Sequence, residues 1–295
     1  MLDWIVLFLR TIQFVSATVL FGAPLFYLYA RQRPQRWHDA LAAAAAIGLL
    51  AASVLAAWMQ SALLLGNWPD TGVADVRWYL GETRIGHIML GRFAAIAVYA
   101  LLFRLPATKN RHLAQMVVGG AILASFAWTG HGAERGSFYA TTDVIHLLMA
   151  GIWAGALVPL YLSIRSARNG TMSAGEISCG LDAFSRIGIA VVALLVASGV
   201  GNALLAFEVS QWWSVIRSSY GVTLMGKIAI LFGMLVLATA NRYRFAPRLA
   251  AAVGQMEETS AALGTLQRSL ALETVLVIAV LGLAAHLGSM EPPGH

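Results

Sequence analysis

Four histidines, one aspartate and a set of methionines are the residues of this chain whose types could do chemistry. His131 and His146 stand within one stretch, WTGHGAERGSFYATTDVIHLLMAGIWAGALVPL over 128–160, where Asp143 and Met149 lie three residues either side of His146. His87 and His286 fall, like these two, at the ends of long apolar runs. Imidazole and thioether together suit copper, since thioether favours Cu(I) and imidazole accepts either Cu(I) or Cu(II). Zinc is less natural with methionine as a ligand. A carboxylate such as Asp143 or Glu134 could ligate at the mouth of such a site or orient an imidazole from behind. Two blander roles compete: a membrane histidine often serves as an interhelical hydrogen-bonding group, and methionine as core filler.

The elements that must position these groups follow from composition. With 59% hydrophobic and 12% charged residues and a mean hydropathy of +0.71, the chain is not a water-soluble globule but a polytopic membrane protein. Eight apolar segments approach the roughly 20 residues that cross about 30 Å of hydrocarbon as helix: 4–30, 40–65, 86–105, 113–128, 143–164, 184–207, 221–240 and 269–287. Backbone polar groups in lipid must be satisfied within each segment, and strand-like alternation is absent, so an all-α membrane bundle is predicted. The first segment is long and lacks a small-residue cleavage site, which makes it a retained span. The loops are short and polar, so residues 1–295 form a single integral membrane domain.

Basic residues set the orientation. Arg31, Arg33, Arg36, Arg104, Lys109, Arg111, Arg165, Arg168, Arg186, Arg242, Arg244, Arg248 and Arg268 all fall in alternate loops, which places those loops in the cytoplasm and both termini outside. The net charge of +6 is therefore a topogenic signal and gives no reason to expect a nucleic-acid partner. The bilayer is the expected surround, with Trp68, Trp78, Tyr79, Trp212, Trp213 and Tyr220 as headgroup-level anchors on the outer side. Cys179, the one cysteine, is expected in a cytoplasmic loop and excludes an internal disulfide or a cysteine-only metal site.

On this topology His87, His131, His146 and His286 share the outer side with Met59, Met89, Met149, Met225 and Met290, whereas His38 and His112 lie in cytoplasmic loops and are expected to be solvated. Asp143, His146 and Met149 descend one helix face over about 9 Å, continued by Ala150 and Trp153. Gly151 and Gly155 turn away from it and suit close helix packing. Asn202, Lys227 and Arg92 would be costly facing lipid and are expected to face the interior. Glu273, about 20 Å from His286 along its span, is expected to pair with Arg242, Arg244 or Arg268 near the inner side. Setting Gln13 against His146 also aligns Arg10 with Asp143 and Gly22 with Gly155, as a parallel repeat of residues 1–128 and 129–287 would do.

TGHG near residue 130, HLLMAGIWAGALVPL from His146, FSRIGIAVVALLVASGVGNALL from Phe184, YGVTLMGK from Tyr220, NRYRFAPRL from Asn241 and RSLALE from Arg268 occur in an order and spacing that resembles the bacterial copper resistance protein D family. The resemblance implies an inner-membrane protein that moves copper inward from the periplasm, with a periplasmic copper-binding partner of the CopC type. It favours His131 and His146 as functional positions and Asn241, Arg242, Arg268 and Glu273 as structural or gating ones. Gln13 departs from the histidine expected there in relatives. The predicted copper site is thus His131, His146, His286, His87, Met149 and Asp143. The rival reading is a b-type haem protein in which two outer histidines ligate iron. No GxxxxGK[ST] loop is present, so no ATPase is expected, and the transport reading predicts a protein that is not an enzyme.

Overall fold

The computed structural model describes residues 2–31, 35–66, 70–129, 136–207 and 211–290. Within them the chain is a helical bundle with no strand, as the apolar segments require. Its helices are α1 (Leu2–Ala30), α2 (Arg36–Leu65), α3 (Val73–Glu82), α4 (Arg84–Leu102), α5 (Lys109–Ala124), α6 (Ser137–Arg168), α7 (Ala174–Ala206), α8 (Trp212–Arg217), α9 (Ser219–Ala240), α10 (Ala246–Ala252) and α11 (Met256–Leu287). Seven are long and apolar enough to cross a membrane. Large apolar side chains such as Val117, Ile189 and Phe232 face outward, where only lipid can cover them, so this is a multi-pass membrane protein.

Expectation and structure differ at the expected fourth span. It is the 16-residue α5, extended by a 3₁₀ turn at Ser125–Trp128. Its first turns carry Arg111, His112 and Gln115, which depress its hydropathy, yet all three are buried. The loops that carry the expected aromatic anchors contain α3 and α8. Trp78 and Trp213 are exposed as anchors should be, but Tyr79 is buried. Trp68 lies outside the described residues. Cys179 sits within α7, exposed, because that helix begins ten residues before its apolar run.

The helix starts are written locally. Thr83, Thr108 and Ser218 each accept a backbone N–H from the first turn of the helix that follows, and Ser173 forms a reciprocal capping box with Glu176. The short helices then fold tightly back: a Cβ on Gly86 would lie 2.1 Å from the Tyr79 carbonyl oxygen, and one on Gly221 would lie 2.0 Å from that of Val215.

The centre of the bundle is the crossing of α1 and α6. A Cβ on Gly22 would fall 2.3 Å from the Gly151 carbonyl oxygen and 2.6 Å from Gly155 Cα, while one on Gly155 would fall 2.3 Å from the Thr18 carbonyl oxygen. Small residues thus let the two backbones touch, as expected of Gly151 and Gly155. Around this crossing α2, α4 and α5 pack on one side and α7, α9 and α11 on the other. Each side has its own core, with Leu20, Leu49, Tyr99 and Ile122 in the first and Phe26, Leu157, Leu160 and Leu266 in the second. The Arg10 guanidinium donates to the Gly288 carbonyl at 2.7 Å, which brings the start of α1 and the end of α11 to the same end of the bundle.

Candidate functional site

At that end, α6 and α7 are joined by polar contacts built on the predicted face. Asn202 Nδ2 donates to Asp143 Oδ1 at 3.1 Å. One turn deeper, His146 Nδ1 meets the Leu195 carbonyl oxygen at 3.1 Å and Ser198 Oγ at 3.2 Å. These partners fix the tautomer. A carbonyl can only accept, and the Ser198 hydroxyl donates its own proton to the Leu194 carbonyl at 2.7 Å. Nδ1 therefore carries the hydrogen and Nε2 presents a lone pair. Metal-ligating histidines are held in this way, with the far nitrogen tied to a carbonyl or carboxylate. Gly199 makes room for the ring, since a Cβ there would lie 3.2 Å from His146 Cε1.

Two further groups complete the neighbourhood. Lys227 of α9 lies within electrostatic reach of both Asp143 and His146. The Asn202 amide oxygen is buried without a hydrogen-bond partner. Asn202 and Lys227 were expected to face inward and do so. Ser198 and Gly199, which set the imidazole, were not singled out in the sequence; a serine–glycine pair inside an apolar run was the available signal.

The remaining predicted site residues are more dispersed. His286 comes to the same end, one turn past Leu283, whose side chain packs on Gly226 of α9. Met149 packs against the core around Trp153 and Leu157. The Met290 sulfur lies 3.9 Å from the Thr223 hydroxyl, one turn before Lys227. His87 is exposed, its Nε2 is 2.6 Å from the Gly81 carbonyl, and its helix packs on α2, α3 and α5 rather than on α6 or α11. His131 and Glu134 lie outside the described residues. Among the described residues no three of His, Cys, Asp and Glu gather at one point, and His146 and Asp143 stand as a pair.

The opposite end corrects two expectations. His38 and His112 are buried, not solvated: His38 stacks on Tyr27 with ring centroids 3.8 Å apart, and His112 meets the same ring edge-on at 5.5 Å. Hydropathy reads them as loop because charged residues flank them, but α2 and α5 begin there and turn both rings inward. Glu273 likewise forms no ion pair with Arg242, Arg244 or Arg268. It is 1% exposed and accepts from Trp153 Nε1 at 3.1 Å and Asn241 Nδ2 at 2.9 Å, while Arg242 donates to the Ser185 carbonyl. The α9 helix passes into a π turn at Asn241–Phe245, which carries the Asn241 amide to the carboxylate. Glu273→Ala strands two buried donors at about 1–3 kcal/mol each; thermal unfolding in detergent is expected to fall markedly for Ala and much less for Gln, which keeps an acceptor.

The α1–α2 pair carries a polar contact of related chemistry. Gln13 Nε2 donates to the Ala52 carbonyl and to Ser53 Oγ, both at 3.3 Å, the same pair of partner types that His146 has in Leu195 and Ser198. Arg92, six residues after Gly86, is buried against Ser125 and the Phe126 ring; Lys227 stands six residues after Gly221.

Residues 1–141 match the family described as Copper resistance protein D-like, N-terminal domain, and residues 180–287 match Copper resistance protein D. Copper resistance protein D of Pseudomonas syringae pv. tomato is 36% identical over 299 residues, covering 96% of this chain and 95% of the relative. Inner membrane protein YebZ of Escherichia coli (strain K12) is 27% identical over 256 residues, covering 83% and 85%. No solved structure matches the chain. None of these descriptions speaks of haem, and the match runs through both halves of the bundle and the His146 helix between them: the chain belongs to the copper resistance protein D family.

Proposed function

We propose that the protein takes copper from the periplasm at the end of the bundle that carries His146 and passes it toward the cytoplasm across the inner membrane, contributing to copper homeostasis or resistance. The observation that carries this reading is the fixed tautomer of His146, whose Nε2 lone pair is free while its Nδ1–H is held by Leu195 and Ser198. Asp143 supplies the carboxylate, and His131, close before α6 in sequence, supplies the second imidazole. His286 and a thioether from Met149 or Met290 complete a mixed nitrogen and sulfur set suited to copper. The segment 132–142 is the docking surface for a periplasmic copper carrier of the CopC type, and the basic loops at the far end face the cytoplasm.

The same reading extends to the chain's organisation: residues 1–128 and 129–287 are parallel copies of a four-helix unit. Supporting it are the contact of Gly22 with Gly155, the like partner types of Gln13 and His146, and the matched turns at Gly86 and Gly221. An amide stands in the first copy where the second has an imidazole, so only the second copy can ligate copper through this position. Copper that stays with the detergent-purified protein, without a Soret band, is the expected result. A strong Soret band, or metal-free protein after mild purification in copper-supplemented buffer, sinks the proposal.

A further inference from the structure

Two arginines in the first half of the bundle face one another's charge with no acid to meet them. Arg10 stands eight residues into α1 and Arg92 eight residues into α4, each about 12 Å past the start of its helix. Arg92 is 4% exposed, its Nε donates to Ser125 Oγ at 3.0 Å, and its guanidinium lies 3.7 Å from the centre of the Phe126 ring. Its Nη2 is buried without a partner. Phe126 packs in turn on Phe14, one turn after Arg10, with ring centroids 4.9 Å apart. Arg10 is only partly buried and engages the Gly288 carbonyl through Nη1, and its other N–H groups bond to none of the described residues.

The two guanidinium groups lie within electrostatic reach of each other, and Arg10 lies within reach of Tyr79, whose hydroxyl is also buried without a partner. Among the described residues neither arginine forms an ion pair, and no carboxylate comes within electrostatic reach of either. A guanidinium does not shed its proton, and a serine hydroxyl or a ring face does not cancel its charge. Two like charges held together inside a membrane domain call for an anion. The second half of the chain differs at the matching positions. The offset that sets Gln13 against His146 sets Arg10 against Asp143, and Lys227 stands as far after Gly221 as Arg92 after Gly86. Lys227 has a carboxylate within reach, in Asp143; Arg92 has a second cation.

We infer that the first half of the bundle binds a small inorganic anion of single charge, of the halide class, on the open N–H groups of Arg10 and within the field of Arg92. A single atom is satisfied by the few donors on offer, whereas phosphate brings several acceptor oxygens and a second charge. The closed packing around Arg92 excludes a lipid headgroup. The inference stands apart from the copper reading, since it uses neither His146 nor Asp143 as a ligand.

The test is a chloride titration of the purified full chain in phosphatidylcholine nanodiscs, with gluconate holding the ionic strength constant. The readouts are the thermal midpoint and the broadening of the chloride-35 resonance. A saturable rise in midpoint with saturable broadening is expected, reproduced by bromide. Arg10→Gln, whose amide can still donate to the Gly288 carbonyl, is expected to abolish both, and Arg92→Met to weaken chloride about tenfold or more. The midpoint gap between wild type and Arg92→Met should be wider in chloride than in gluconate, which a purely structural arginine would not produce. The wild-type titration stands even where a variant fails to fold. Absence of a saturable chloride effect on the wild type overturns the proposal. So does phosphate acting at lower concentration than chloride, loss of the effect when phosphatidylglycerol replaces phosphatidylcholine, or an undiminished effect in folded Arg10→Gln.

Discussion

His146→Gln is expected to leave the bundle intact and abolish copper handling. A glutamine amide can donate to the Leu195 carbonyl and Ser198 Oγ as Gln13 does to Ala52 and Ser53, so the α6–α7 contact survives. What disappears is the Nε2 lone pair. Loss of an outer-shell partner typically weakens metal binding about 10–100-fold, and loss of the ligand itself is expected to exceed that. Cellular copper accumulation should drop to the level of cells lacking the protein, and copper should no longer co-purify. His146→Ala should do the same with an added loss of stability, because it leaves a space beside Gly199. Joined with His131→Ala, it also removes the imidazole expected from the segment before α6. If the double variant retains wild-type copper content and accumulation, the site lies elsewhere.

Gly155→Val is expected to prevent folding. The helix crossing leaves no room for any Cβ: the added atom would stand 2.3 Å from the Thr18 carbonyl oxygen and 2.7 Å from Gly22 Cα. These neighbours are backbone, so no side chain can swing aside, and α1 must separate from α6 along its length. Overpacking a core typically costs about 1–3 kcal/mol where side chains can give way. Here the loss should exceed about 4 kcal/mol, the range reserved for severe lesions. Membrane yield and the thermal midpoint in detergent measure it, with Gly22→Val predicted to behave alike. Gly233→Ala in α9, whose Cβ would meet nothing within 4 Å, is the control and should be neutral or slightly stabilising. A Gly155→Val protein with wild-type yield and midpoint would falsify the close crossing.

Much of this architecture was legible in the sequence because lipid imposes one answer on a long apolar run. A 20-residue stretch without charges must close its own hydrogen bonds, so most of the spans, the polar face of α6 and the glycine face behind it could be written down directly. Reading failed where polar residues are buried by neighbours distant in the chain. His38 and His112 look solvated because charged residues flank them, yet stacking around Tyr27 takes them inside. Glu273 looks like an ion-pair partner because arginines are near in sequence, yet Trp153 and Asn241 reach it first. Tyr79 looks like an interfacial anchor until α3 folds back on Gly86 and buries it.

Composition and pattern alone gave the class, the rough limits of seven of the eight expected spans, the face that presents Asp143 and His146, and the resemblance that the relatives bear out. Tertiary structure alone decided which nitrogen of His146 is free, since that depends on a carbonyl and a hydroxyl 49 and 52 residues away. It decided likewise that one nitrogen of Arg92 is buried without a partner. The physical reason is the same in each case. Helix formation in lipid is settled by local composition, whereas the state of a buried polar atom is settled by the one partner that packing brings within hydrogen-bonding distance.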